Sequence, residues 1–148
     1  MKLLPLLQLV VLACWTEATE FEATGAVHCD KPGQTWCFWL TFYEEDFIKD
    51  DVFEAIGAKC SRRQSWPYQL KGVEHGDGLF DTHFEVALHV RHNCTKYGEL
   101  REMWKFEKPY PVTMRKISVE WSPVLTNQGK VISFPGQEWS QSSKFDNE

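Results

Sequence analysis

Between Thr82 and Cys94 apolar and polar side chains alternate. Phe84, Val86, Leu88, Val90, His92 and Cys94 fall on one face, and His83, Glu85, Ala87, His89 and Arg91 on the other. A period of two held over that length is the pattern of a strand with one buried face. Trp36, Phe38, Leu40 and Phe42 predict a second inward face, with Cys37, Trp39, Thr41 and Tyr43 behind it. Val27 and Cys29 predict a first strand after Gly25; Trp104 and Phe106 mark another, Ile117, Val119 and Trp121 another, and residues 131–134 a short last one. Trp66, Tyr68 and Leu70 alternate too, but Pro67 confines that segment to a sheet edge. Asp50 to Ala58 fits a short helix or, over Val52 to Ile56, a strand. Turn residues separate these runs, at Lys31-Pro32-Gly33, Gly76-Asp77-Gly78, Lys108-Pro109-Tyr110-Pro111 and Asn127-Gln128-Gly129. About seven short strands with regular turns predict an all-β, antiparallel β-sandwich.

The N-terminus departs from this pattern. Lys2 precedes an apolar run from Leu3 to Ala13, and Thr16 and Ala18 stand at −3 and −1 of a cleavage site after Ala18. That order of charge, apolar core and small residues is a secretory signal, and the run falls short of the roughly 20 residues a membrane span needs. The expected organisation is a signal peptide over 1–18, one β-sandwich domain over 19–135 and a loose polar tail over 136–148. The chain carries 16 Lys and Arg against 21 Asp and Glu, a formal charge of −5. Without a basic stripe (Arg62-Arg63 reads as a solvated loop) nucleic acid is not an expected partner. The reading is of a secreted, extracellular protein without a transmembrane segment.

Cleavage after Ala18 removes Cys14 and leaves Cys29, Cys37, Cys60 and Cys94. An even number in a secreted chain suggests two disulfides, with three possible connectivities. Cys29 and Cys94 both lie on inward faces, whereas Cys37 faces outward with Trp39 and Cys60 lies near a turn. Parity therefore favours Cys29–Cys94 and Cys37–Cys60. Asn93-Cys94-Thr95 is a glycosylation sequon, with Asn93 the candidate acceptor.

Several of these pieces occur in a familiar order. Gly25-x-Val27-x-Cys29-x-Lys31-Pro32 is followed by Phe42-Tyr43-Glu44-Glu45-Asp46 and Asp50-Asp51-Val52-Phe53. Leu88-x-Val90-x-His92-Asn93-Cys94 and a Trp104-Lys105-Phe106 strand come next. Over Thr24 to Trp121 the chain resembles the nematode transthyretin-like family of secreted proteins. The resemblance implies a transthyretin-type sandwich, a Cys29–Cys94 bridge and a non-catalytic extracellular role as an adaptor or as a lipid- or cell-surface-binding protein. Residues 59–68, KCSRRQSWPY, depart from the family pattern with an extra cysteine and no glycine.

Candidate chemistry is sparse. His89 and His92 lie three apart, which on a strand puts them on opposite faces, so they do not share a metal. His92 reads as a buried, hydrogen-bonded histidine beside the bridge. No third ligand accompanies His83 and His89, so no metal is expected. Glu44, Glu45, Asp46, Asp50 and Asp51 form an acidic segment without calcium-loop spacing, which reads as a solvated turn. The chain has no Gly-x-Ser-x-Gly, His-Glu-x-x-His or phosphate-binding glycine loop, and no cofactor is expected. What remains is a possible ligand surface at Trp39, Tyr43, Glu44, Glu45 and Asp46, for an extracellular protein, lipid or small apolar ligand. The alternative is a secreted hydrolase using the clustered carboxylates.

Overall fold

A computed structural model describes residues 18–45, 50–75 and 82–132. Seven strands have five or more residues: β1 (Thr19–His28), β2 (Trp36–Glu44), β3 (Asp51–Ser61), β4 (Ser65–Glu74), β6 (Val86–His92), β7 (Arg101–Phe106) and β9 (Lys116–Glu120). Three two-residue strands complete the described set, β5 (His83–Phe84), β8 (Tyr110–Pro111) and β10 (Lys130–Val131). They form a five-stranded sheet in the order β10-β7-β6-β2-β3, a three-stranded sheet β4-β1-β9 and a small β5-β8 pair. The chain is all-β, as the alternation predicts, with antiparallel pairing except that β1 runs parallel to β9.

The inward parities meet between the two larger sheets. Phe21, Ala23 and Val27 of β1, Tyr68 and Leu70 of β4, and Ile117 and Val119 of β9 face Phe38, Leu40 and Phe42 of β2 and Val86, Leu88 and Val90 of β6. Phe21 links the layers: its ring stacks on Phe53 at 4.3 Å and meets Phe84 edge-on at 5.0 Å. Phe42 meets the same Phe53 at 5.1 Å.

The segment that fitted either helix or strand is a strand, β3, zipped to β2 with irregularities between Phe38 and Leu40 and between Phe42 and Tyr43. The first strand starts at Thr19, six residues before the Gly25 where the sequence signal begins. Gly25 lies inside it because a Cβ there would collide with the Trp121 carbonyl, while the Trp121 N–H bonds to the Thr24 carbonyl at 3.0 Å. Pro67 is accommodated because β4 is an edge strand with β1 on one side only. The expected long strand over 82–94 breaks at Glu85 into β5 and β6.

The structure pairs Cys29 with Cys94 and Cys37 with Cys60. The first bridge ties the end of β1 to the residues after β6 and so joins the two sheets. The second joins directly opposed residues of β2 and β3, on the outer side of the five-stranded sheet.

Candidate functional site

The outer face of the five-stranded sheet is where the expected ligand surface lies. Register aligns its side chains in rows across the strands. Thr41, His89 and Trp104 are direct neighbours in one row; Tyr43, Ala87 and Phe106 form the next towards one end. Trp39, Arg91, Glu102 and Lys130 form the row towards the other. Directly opposed residues on one face of a sheet lie close enough to interact. Of the large apolar side chains exposed in this protein, Trp39 (45%), Trp104 (44%) and Phe106 (58%) all stand here.

Trp104 organises the middle of the face. The His89 imidazole stacks on it at 3.6 Å and 8° between planes. The Phe106 ring is parallel to it, 4° between planes at 5.9 Å, and Tyr43 meets it edge-on at 6.0 Å. His89 Nε2 lies 3.2 Å from Glu102 Oε2, which fixes the imidazole's tilt against the indole. Burial under Trp104 lowers the His89 pKa, the nearby Arg91 charge adds to that, and Glu102 opposes both. Arg91 itself is exposed, and its side chain forms no hydrogen bond or ion pair among the described residues.

The expected ligand surface is thus only partly assembled. Trp39 is exposed as predicted. Tyr43 shares its face but is 5% exposed, covered from β7 by Trp104, and the same burial raises its phenol pKa. Glu44 has the opposite parity and is buried at the end of the inward face. Glu45 is exposed just beyond β2, its amide bonded to the Glu85 carbonyl at 2.7 Å. Its carboxyl is raised by partial desolvation and then by Asp50 and Glu85. Asp46 lies outside the described residues, as do residues 1–17 and the tail over 136–148. Among the described residues no three His, Cys, Asp or Glu side chains come together as a metal site.

Trp104 and Phe106 were legible as a strand, yet nothing in their spacing indicated the outward direction. Alternation gives two parities and not which one meets the core. In β7 the inward parity is taken by Arg101, Met103 and Lys105: Met103 packs against the core, the Arg101 guanidinium bonds the Asn127 carbonyl, and the Lys105 ammonium bonds the Glu120 carbonyl.

Asn93 is half-buried. Its Oδ1 accepts from the Cys37 N–H at 2.7 Å, and its own N–H bonds the Cys37 carbonyl at 3.1 Å, so the residue closes the end of the β2–β6 ladder. Thr95 of the sequon is buried, its hydroxyl bonded to Glu99.

His92 lies on the inward face beside the Cys29–Cys94 bridge and is completely buried. Its Nδ1 accepts from the Cys94 N–H at 3.2 Å, so the ring proton sits on Nε2, on the side of the Gln128 backbone. Burial, with the Arg101 charge, lowers its pKa from 6.5 to about 4. The unfolded chain therefore binds more protons than the folded one between pH 6.5 and 4, and stability rises with pH across that window. The contribution is complete above pH 6.5 and is lost as pH falls through 4, an amount on the order of 3 kcal/mol. Thermal midpoints measured by circular dichroism from pH 7.5 to 4 are expected to fall less steeply for His92→Gln than for the parent. Equal slopes would move the acid sensitivity to other groups.

Residues 24–133 match the family model described as Caenorhabditis elegans protein of unknown function (DUF870). The chain is 32% identical over 98 residues to the uncharacterized protein B0416.7 of Caenorhabditis elegans, an alignment covering 64% of this chain and 73% of that one. No solved structure matches. The matched stretch spans the whole five-stranded sheet and both disulfides. This bridged sandwich with an aromatic outer face belongs to the family of Caenorhabditis elegans proteins of unknown function (DUF870).

Proposed function

We propose that the protein is a secreted, non-catalytic binding or adaptor protein of transthyretin-like type, and that the outer face of the five-stranded sheet is its contact surface for an extracellular protein, lipid or cell-surface ligand. The observation that carries this reading is the placement of Trp39, Trp104 and Phe106, all half-exposed, on one face beside the exposed Arg91. An exposed apolar area rimmed by polar groups is the usual mark of an interaction site, and Trp and Arg are the side chains that most often dominate binding energy. The sequence of Met1 to Ala18, the even number of cysteines after Ala18 and the two bridges support secretion.

The test is saturable binding of labelled mature protein to cell surfaces, compared with Trp39→Ala/Trp104→Ala. The variant is expected to lose at least about tenfold in affinity, since two central aromatic contacts are removed, with the strand signal in circular dichroism retained. Undiminished binding by the variant would place the contact surface elsewhere.

A further inference from the structure

We infer that the partner of this face is a second copy of the chain, stacked face to face in a two-fold dimer. The inference rests on the reading of the outer face as a contact surface and names its occupant.

The argument is the distribution of charge and size along the strands. Beyond the Tyr43–Ala87–Phe106 row, the exposed Glu45 and Glu85 stand in the next row of the same face, their backbones joined by the Glu45 N–H to Glu85 carbonyl bond. Asp50 is close enough to Glu45 to raise its carboxyl further. This end of the face is acidic. At the opposite end Arg91 and Lys130 are exposed, and the one carboxylate between them, Glu102, is engaged by His89. The middle is apolar. A face that runs from acidic through aromatic to cationic is complementary to itself once reversed.

Register shows that the reversal fits. A two-fold axis lying across the strands, between the Thr41–His89–Trp104 row and the Tyr43–Ala87–Phe106 row, turns each strand onto its own counterpart. On β7 it sets Trp104 against the partner's Phe106. On β6, where His89 and Ala87 are buried within each protomer, it sets the exposed Arg91, two positions further out, against the partner's exposed Glu85. Every contact occurs twice, and stacked sheets pack about 10 Å apart, within reach of the Arg91 side chain. A partner of unrelated sequence has no reason to match this pattern in reverse.

The experiment measures the oligomeric state of the full mature chain by sedimentation equilibrium over a range of concentration and salt. A dimer is expected, weakened by salt. Arg91→Glu and Glu85→Arg, each on an exposed side chain, are each expected to raise the dissociation constant about a hundredfold, because each removes two symmetric ion pairs at roughly tenfold apiece. Arg91→Glu combined with Glu85→Arg is expected to restore it. A parent that stays monomeric up to its solubility limit overturns the inference, and so does a dimer indifferent to the single reversals or not rescued by the double one. A monomer that still binds cells through Trp39 and Trp104 would leave the proposed function standing and remove only this inference.

Discussion

Replacing Cys29 and Cys94 together by alanine is expected to destabilise the fold by about 4 kcal/mol. The two residues are 65 apart in sequence, and a cross-link closing a loop of that length removes correspondingly many conformations from the unfolded chain. The bridge is also the covalent tie between the two layers. Cys29 follows β1 in the three-stranded sheet, Cys94 follows β6 in the five-stranded one, and both are buried. Guanidinium unfolding followed by tryptophan fluorescence checks the value, and a loss below about 1 kcal/mol would contradict the chain-entropy account. The Cys37–Cys60 bridge closes a shorter loop of 23 residues between strands already zipped together. Its removal is expected to cost less.

Phe21→Ala is expected to cost about 3–5 kcal/mol, the range for truncating a fully buried phenylalanine. Phe21 is 1% exposed, and its ring fills the space between Phe53 and Phe84, which come from different strands of the sandwich. Truncation leaves a void lined by aromatic rings that are fixed by their own strands and cannot close in. Phe106→Ala removes the same atoms from a side chain 58% exposed, and is expected to cost under about 1 kcal/mol. Urea unfolding of the two variants side by side separates core from surface. Equal losses would mean that Phe106 is covered in solution.

Much of this architecture could be read from the alternation of side chains. The inward faces of β2 and β6 are those the sequence predicts, as is the edge position of Pro67. The parity of the four cysteines favours the pairs that the structure contains. Three features were not legible, for distinct reasons. The early start of β1 at Thr19 is hidden because its outward residues, Glu20 and Glu22, alternate with Phe21 and Ala23 over too few positions to stand out from a polar linker. The parallel pairing of β1 with β9 is a relation between distant segments, to which local periodicity is blind. The site was only half visible, because Trp39 announces an outward aromatic, whereas Trp104 and Phe106 have the same spacing whether they face the core or the solvent. That choice is made by the whole sheet and not by the strand.

The central place of β1 in its sheet has a kinetic consequence. The strand is synthesised before both of its partners: one neighbour, β4, lies some 50 residues on and the other, β9, begins at Lys116, opposite Glu20 and 96 residues later. Ordering β1 before those partners exist spends loop-closure entropy with no contacts in return, so pairings of such long range make folding slow. Until residues 116–120 arrive, Phe21, Ala23 and Val27 lie on a strand with an open side, the condition in which nascent chains pair with one another. The seam between β1 and β9 closes only after residues 116–120 have been made.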